Sequence, residues 1–311
     1  MPLSPHVPDL GALELLLDVV ATGSIGAAGR VHGITQQAAS ARLRALEQRA
    51  GVALLDRRAR GTRLTEAGTA FAAWATRVVE AAHDLDAGLA ALRHQGTARL
   101  RLAASMTVAE HLVPGWLAAL RARDRADPVQ VTLTATNSAA VAQLVRDGAV
   151  DLGLVEGPEP LADLSRRVVG TDRLVLVVAP DHPWAARRSV SAAVLARTPL
   201  VTREVGSGTR HALEQALASA GASPSAVPTM ELSTATAVRE SVRAGLGPAV
   251  LSRLAVAADL REQRLVEVPV AGVDLARELR AVWTGPAHSP PAGPARDLVA
   301  IAARSQPETR L

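Results

Sequence analysis

The chain has 311 residues, enough for two or three compact units, and 48% of them are hydrophobic, which is enough to form buried cores. No apolar run reaches the roughly 18–20 residues that a membrane-spanning helix needs. The opening residues MPLSPHVPDL lack the charged and apolar regions of a signal peptide, so we expect a cytoplasmic protein that does not enter a membrane. The absence of cysteine excludes disulfides and thiolate metal sites.

Positive charge is concentrated in one short part of the chain. The formal net charge is only +4, and all 34 basic residues are arginine because the sequence contains no lysine. Between Arg30 and Arg63 there are eight arginines against two acidic residues, Glu47 and Asp56. This local excess is typical of a surface that binds nucleic acid.

The first segment has the pattern of three short helices. The apolar spacing in LGALELLLDVVA predicts a helix over Leu10–Ala21. Ser24 is suited to cap a second helix, Ile25–Val31, and Thr35 to cap a third. Gly33 lies in the turn between them, where the backbone needs a positive φ. Two short helices joined by a tight turn form the helix–turn–helix arrangement.

The third helix, which we expect to end near Gly51, has two different faces. Its inner stripe consists of Ala39, Leu43, Leu46 and Ala50. The polar residues near its beginning are Thr35, Gln36, Gln37, Ser40 and Arg44. The second helix of a helix–turn–helix enters the major groove with such residues first, and a glutamine amide matches the edge of adenine. The alternative is an ordinary solvated helix face.

The stretch VALLDRRARGTRLT holds two short apolar runs and predicts a β-hairpin. Its four arginines are Arg57, Arg58, Arg60 and Arg63. A basic hairpin beside a helix–turn–helix can reach DNA phosphates or a narrow minor groove. The alternative, a solvated charged loop, fits this position less well.

A long helix is expected from about Thr65 to Gln95. Its apolar residues fall at positions 71, 74, 78, 81 and 85 and continue at 89 and 92. A repeat of 3.5 residues is typical of a helix that pairs with a partner helix. The alternative is a helix packed on its own domain. We favour a homodimer, because the helix–turn–helix unit is too small to cover so long a stripe.

From about Arg99 onward, strand and helix patterns alternate, which is typical of a parallel α/β sheet. The candidate strands are RLRLAA, VQVTLTA, DLGLV, RLVLVVA, PLVTR, PTMELS, GPAVLS, RLVEVPV and ELRAVW. Helical patterns such as AAVAQLVRDG lie between most of them.

Small polar residues follow several of these strands, mostly at helix starts. In open α/β sheets ligands bind at such strand ends, and helix N-termini favour anions. The candidate effector-binding residues are Ser105, Thr107, Thr136, Asn137, Ser207, Gly208, Thr209 and Thr234. In GSGTR the glycines permit close approach of a ligand, and Arg210 could pair with an anion or point to solvent. Simple N-capping is the alternative for this motif.

Catalytic and metal-binding patterns are missing from the sequence. GSGTR does not have the G-x-S-x-G order of a hydrolase, and the histidines lack zinc-site spacing. We therefore expect no catalytic residues, no metal and no cofactor. The competing interpretation is an enzyme or small-molecule-binding protein of the α/β class with an incidental basic N-terminal module.

The N-terminal residues also resemble a known family. From Leu10 to Gly68 the order and spacing of GS, AA, TQ, AAS, LE, LLDR and LTEAG strongly resemble LysR-type transcriptional regulators of bacteria. GSGTR, AGLGPAVLSRLAV and RLVEVPV resemble the family's effector domain more loosely. Ile25, Leu55 and Gln37 depart from the usual aromatic, Phe and Pro of the family, and Gln37 predicts an unusual base preference.

The resemblance implies a winged helix–turn–helix over residues 1–64, a dimerising linker helix over 65–96 and an effector domain over 97–311. The effector domain would have two α/β lobes similar to type 2 periplasmic binding proteins, with a small-molecule inducer between them. We expect lobe I over about 97–170 and 269–305, and lobe II over about 171–268. The expected partners are double-stranded DNA, an anionic inducer and further copies of the chain, as a dimer or homotetramer.

Overall fold

The computed structural model describes residues 4, 7–58, 61–93, 99–123, 129–158, 161–285 and 290–305. The chain divides into two compact units. The first unit consists of residues 1–96 with 284–296, and the second of residues 97–283 with 297–311.

The first unit is a small helical domain with a hairpin and one long helix. Its elements are α1 (Leu10–Thr22), α2 (Ile25–Val31), α3 (Gln36–Ala50), β1 (Leu55–Arg58), β2 (Gly61–Leu64) and α4 (Glu66–Arg93). The expected caps are confirmed, because Ser24 and Thr35 accept backbone N–H groups at the starts of α2 and α3. Gly33 and Gly51 have φ angles of +64° and +71°. The expected end of the long helix lies outside the described residues.

The core of this unit is built from one face of each helix. Leu15, Leu16 and Leu43 are fully buried, and Ala72 and Val79 of α4 pack on the same cluster. At the two positions where the family usually has an aromatic residue, Ile25 packs against this core and Leu55 is buried in it. The aliphatic replacements therefore still fill the interior.

The elements from residue 99 onward alternate between strands and helices. They are β3 (Arg99–Ser105), α5 (Met106–His111), α6 (Val113–Arg123), β4 (Gln130–Thr136), α7 (Ser138–Arg146), β5 (Leu152–Glu156), β6 (Ser165–Val178), β7 (Val190–Ser191), α8 (Ala192–Ala196), β8 (Val201–Arg203), α9 (Gly208–Ser219), β9 (Met230–Leu232), α10 (Ala235–Arg243), β10 (Ala249–Ser252), α11 (Arg253–Arg261), β11 (Val266–Val268), β12 (Val270–Ala271), β13 (Ala276–Trp283) and α12 (Pro294–Arg304). Every candidate strand is confirmed. The first half of β6 and the short β7 were not expected.

The second unit has two lobes that share long strands. Among the described residues, the main sheet has the order β10-β6-β13-β5-β3-β4, and β11 also pairs with β6. The first part of β6 pairs with β13 in lobe I, whereas its last residues pair with β10 and β11 in lobe II. The chain returns to lobe I between β12, which pairs with β7, and β13, which pairs with β5.

The alternating pattern predicted a parallel sheet, and the structure has a mixed one. β3 is parallel to β4 and β5, but β13 is antiparallel to β5 and β6. β10 and β11 are also antiparallel to β6. The mixture arises because the two connections between the lobes are themselves strands of the sheet, and they run against their neighbours.

Each lobe has its own buried core. In lobe II, Leu174 and Leu176 of β6 pack into one cluster, and the alternate residues Val175 and Val177 pack into another. This strand is therefore covered on both faces, as its continuous apolar sequence requires. No helix in the described ranges is long and apolar enough to span a membrane. The same residues contain no cluster of three or more potential metal ligands.

Candidate nucleic-acid interface and ligand cleft

Helix α3 presents its polar residues away from the core. Gln36, Gln37 and Arg44 are exposed and so is the capping residue Thr35, while Ser40 is half-buried. On the opposite side Ala39, Leu43 and Leu46 are buried, and Ala50 is half-buried. A Cβ atom on Gly26 would lie 3.2 Å from Oε1 of Gln36, so this glycine leaves room for the Gln36 side chain beside α2.

The expected hairpin is formed by β1 and β2. These strands are antiparallel, with Leu55 opposite Leu64 and Asp56 opposite Arg63. Arg63 is exposed. Arg57 and Arg58 belong to β1, but their side chains are not among those described, and Arg60 lies outside the described residues. The placement of a wing beside α3 thus follows the expectation, and the contacts of its arginines remain a prediction.

The sequence interpretation missed the residue that ties the wing to α3. Oε1 of Glu47 accepts hydrogen bonds from the backbone amides of Leu54, at 2.8 Å, and Leu55, at 2.9 Å. A carboxylate that accepts two backbone N–H groups makes strong, directional contacts. The LE pair of the family motif was the only sequence signal for this role.

Helix α4 buries one face and exposes the predicted stripe. Ala72, Ala75 and Val79 are buried in the core of the first unit. By contrast, Trp74 and Leu85 are 64% and 66% exposed. Val78 and Ala81 are also exposed, Phe71 is half-buried, and the side chains at positions 89 and 92 are not described. Phe71 packs against the core, whereas Trp74, Val78, Ala81 and Leu85 of the repeat lie on a different face of α4 from the one that the domain buries.

Two of the predicted effector-binding hydroxyls meet between the lobes. Thr107 at the start of α5 and Thr209 at the start of α9 both donate hydrogen bonds to Oε1 of Glu156, at 3.2 Å and 3.3 Å. Both threonines and Glu156 are buried. Residues from lobe I and lobe II therefore converge on one carboxylate.

Two further predicted residues, Ser105 and Ser207, have unused hydroxyl groups. They occupy the N-cap positions of α5 and α9 and are each 1% exposed. Neither side chain caps its helix, and neither Oγ has a hydrogen-bond partner within the described part of the chain. Simple N-capping therefore does not account for Ser207 in GSGTR. A buried polar group without a partner is uncommon and calls for an explanation.

The lobes lie in close contact at Gly208. A Cβ atom there would lie 1.9 Å from the backbone oxygen of Glu156, so only glycine fits. Next to it, the amide of Ala139 in lobe I donates to the carbonyl of Gly206 in lobe II, at 3.2 Å. The lobes are thus closed against each other along the GSGTR segment.

The remaining predicted residues have local contacts. Asn137 caps α7 by accepting the amide of Ala140, and Thr234 caps α10 by accepting the amide of Ala237. Thr136 is half-buried at the end of β4. Arg210 forms ion pairs with two acidic residues of lobe II, Glu214 at 2.9 Å and Glu231 at 2.6 Å. The structure therefore gives Asn137 and Thr234 a capping role and engages Arg210 within its own lobe.

A network of buried charges lies behind the two threonines, and sequence reasoning missed it. Arg277 of β13 contacts Asp172 at 2.6 Å and Glu156 at 3.1 Å, and it donates to Oγ1 of Thr209 at 3.1 Å. Ser252 donates to the other oxygen of Asp172, at 2.9 Å. The only sequence signal was the presence of charged residues within apolar strand patterns, as in DLGLVE and ARELRAVW.

A groove of about 580 Å³ adjoins this network between α9 and β13. Its polar lining includes Gln215 and Ser219 from α9 and Arg277 and Arg280 from β13. This volume lies within the range of pockets that hold small ligands.

These features together define a class of protein. A helix–turn–helix with a wing, joined to a two-lobed binding domain, is the architecture of a ligand-responsive DNA-binding transcriptional regulator. The family model "Bacterial regulatory helix-turn-helix protein, lysR family" matches residues 10–69, and "LysR substrate binding domain" matches residues 93–305. The chain belongs to the LysR family of transcriptional regulators.

Relatives and solved structures agree with this assignment. The sequence is 49% identical over 98% of the chain, and 100% of the relative, to the uncharacterized HTH-type transcriptional regulator Rv2282c of Mycobacterium tuberculosis. It is 30% identical to the HTH-type transcriptional regulator CbbR of Xanthobacter flavus, covering 94% of this chain and 87% of that one.

Two solved structures show the same fold at low identity. The regulatory domain of Synechocystis CcmR in complex with 2-PG matches 68% of this chain and 99% of its own, with a TM-score of 0.59 and 21% identity. Full-length CbnR complexed with its target DNA matches 95% of this chain and 100% of its own, with a TM-score of 0.51 and 21% identity.

Proposed function

We propose that this LysR-family regulator binds its operator as a homodimer or homotetramer and responds to a small anionic inducer held between the two lobes. Residues 1–64 would bind DNA, residues 65–96 would dimerise and residues 97–311 would sense the inducer. The chain would act in the cytoplasm as a regulator and not as an enzyme. The closed two-lobed cleft with its unused hydroxyls is the observation that carries the sensing role.

In the proposed DNA contact, α3 reads bases and the wing contacts the backbone. The exposed amides of Gln36 and Gln37 are suited to hydrogen bonds with base edges, and the half-buried Ser40 lies one turn further along. The exposed Arg63 is suited to phosphate contacts. CbnR, which shares this fold, has been solved with its target DNA, which supports the same role here.

In the proposed assembly, the exposed stripe of α4 packs on the same stripe of a second copy. Trp74, Val78 and Leu85 would be covered there, and exposed apolar residues at coiled-coil spacing favour this arrangement. Paired DNA-binding domains then engage two half-sites together.

In the proposed sensing site, an anionic ligand binds among Ser105, Thr107, Ser207 and Thr209. The two buried serine hydroxyls offer donors that the protein itself does not use. CcmR, a structural neighbour, was solved in complex with 2-PG, which supports a small ligand in this domain. Asn137, Thr136, Gly208 and Thr234 would border the site and position its backbone.

The proposal is tested with gel shifts on the DNA beside the chain's own gene, together with a thermal-shift screen of carboxylates, phosphates and their uncharged analogues. We expect an anionic compound to raise the melting temperature and to alter the gel shift. Ser105→Ala and Ser207→Ala should abolish both effects while leaving the ligand-free melting temperature close to wild type, because neither hydroxyl has a protein partner. Ser223→Ala, an exposed lobe II serine away from the groove, serves as the control. An unchanged response in both serine variants would place the ligand elsewhere.

A further inference from the structure

The cleft contains a buried carboxylate, that of Glu156. One of its oxygens accepts hydrogen bonds from the hydroxyls of Thr107 and Thr209, which belong to opposite lobes. The other lies 3.1 Å from the guanidinium of Arg277. Glu156 is 1% exposed, so these contacts are made away from water. The donors that converge here form a site for a carboxylate, and the protein fills it with its own side chain.

We propose that Glu156 acts as an internal stand-in for the inducer's carboxylate, and that the inducer must displace it to bind. This inference rests on the proposed function, because it concerns the same cleft. It narrows the inducer class from anions in general to carboxylates. A carboxylate group fits because it can accept both threonine hydroxyls on one oxygen and pair with Arg277 through the other.

The charges in the cleft explain why displacement is needed. Two buried carboxylates, Glu156 and Asp172, share the guanidinium of Arg277. A third carboxylate added to these two would bring three negative charges together in a buried site. Like charges at short distance strongly disfavour the ionised form of a carboxyl group. The inducer can therefore take the position only when Glu156 leaves it.

The backbone explains why displacement changes the shape of the domain. Gly208 lies against the carbonyl of Glu156, with no room for even a Cβ atom between them. The Glu156 side chain accepts a hydrogen bond from Thr209 of lobe II beside this contact, so its displacement removes a link between the lobes. A ligand that replaces Glu156 thus favours a different arrangement of the lobes, which is the differential affinity that regulation requires.

Chemical rescue with acetate tests the carboxylate site directly. Glu156→Ala removes the side-chain carboxylate and leaves its donors in place. We expect sodium acetate to raise the melting temperature of full-length Glu156→Ala by several degrees in a saturable way. Acetamide, and sodium chloride at equal ionic strength, should not do so. Wild type and the exposed neighbour variant Glu278→Ala should show no saturable acetate effect. Equal responses to acetate and acetamide, or saturable stabilisation of wild type, would overturn the proposal.

A distance measurement tests the coupling to the lobes. The chain has no cysteine, so Ala118→Cys in α6 and Ala218→Cys in α9, both exposed, provide unique spin-label sites in lobe I and lobe II. Dilution with unlabelled protein suppresses distances between subunits. We expect a narrow distance distribution in the wild-type background, a broader and longer one with Glu156→Ala, and recovery of the narrow one with acetate. An unchanged distribution in Glu156→Ala would contradict the proposal.

A second variant covers the case in which Glu156→Ala does not fold. Glu156→Gln preserves the volume and one acceptor oxygen but loses the charge that pairs with Arg277. We expect Glu156→Gln to broaden the distance distribution. Acetate should not restore the narrow distribution, because the glutamine side chain still fills the site. An unchanged distribution again counts against the proposal. The acetate and spin-label results need no natural inducer. The acetate and spin-label results can therefore contradict the role of Glu156 while the gel-shift and serine results support the proposed function. The opposite combination can be recognised in the same way.

Discussion

The carboxylate of Glu47 in α3 accepts a hydrogen bond from the backbone amide of Leu54, at 2.8 Å. This contact fixes the wing relative to α3, the helix that we propose to read DNA. Glu47→Ala leaves this amide and that of Leu55 without their acceptor. We expect a loss of about 1–3 kcal/mol in the free energy of unfolding. Binding to operator DNA should weaken as well, because the wing loses its fixed position.

Urea unfolding and gel shifts measure these two effects of Glu47. Glu47→Gln retains an acceptor oxygen and should stay closer to wild type than Glu47→Ala. Glu66→Ala, in the exposed first turn of α4, is the matched control and should change neither quantity. If Glu47→Ala unfolds at the wild-type urea concentration, the contact does not hold the wing.

Gly68 is required by a close contact, and its replacement should be costly. A Cβ atom at this position would lie 2.0 Å from the backbone oxygen of Leu54. The backbone must shift to accommodate it, and overpacking of this kind typically costs about 1–3 kcal/mol. Differential scanning calorimetry of Gly68→Ala should show a lower melting temperature. The control is Gly115→Ala in α6, where a Cβ meets open space and should raise stability by about 0.5–1 kcal/mol. A stable Gly68→Ala protein would refute the steric argument.

The polar residues of α3 and the arginines of the wing should affect DNA binding differently. Gln36→Ala and Ser40→Ala should each weaken operator binding by about 1–3 kcal/mol and leave binding to random DNA unchanged. Arg63→Ala should weaken binding to both and lower the salt slope by about one. Fluorescence anisotropy on operator and random duplexes at several salt concentrations measures this. Identical behaviour of all three variants on random DNA would show that the assigned roles are wrong.

The exposed stripe of α4 should be needed for assembly. Val78→Glu combined with Leu85→Glu places charges where we expect each stripe to meet its symmetry mate, which costs several kcal/mol in a buried interface. Sedimentation should then give smaller assemblies, and operator binding should weaken. Ala73→Glu, on the solvent side of the same helix, is the control and should leave the assembly unchanged. A double variant of wild-type size would exclude this interface.

The features that the sequence determined by itself are those set by near neighbours in the chain. The limits of α2, the caps Ser24 and Thr35, and the positive φ of Gly33 depend on a few adjacent residues. The two faces of α3 follow from helical periodicity within one segment. The nine candidate strands could also be located, because each is a short apolar or alternating run.

The tertiary structure decided which of the similar polar residues are available for a ligand. Ser105, Asn137, Ser207 and Thr234 all occupy N-cap positions, and the sequence could not tell them apart. Asn137 and Thr234 cap their helices, whereas packing turns Ser105 and Ser207 away from that role and buries their hydroxyls without a partner.

The tertiary structure also decided the direction of the shared strands and the charge network. β13 runs antiparallel to both of its neighbours, and neither pairing can be deduced from its own residues. Glu156 lies 49 residues from Thr107 and 53 from Thr209 in sequence, and Arg277 lies 105 residues from Asp172. No local pattern specifies such contacts. The Arg277–Asp172 contact forms when β13 pairs with β6, and the Thr209–Glu156 contact forms only when the two lobes meet. Each buried charge therefore depends on a partner far away in the chain.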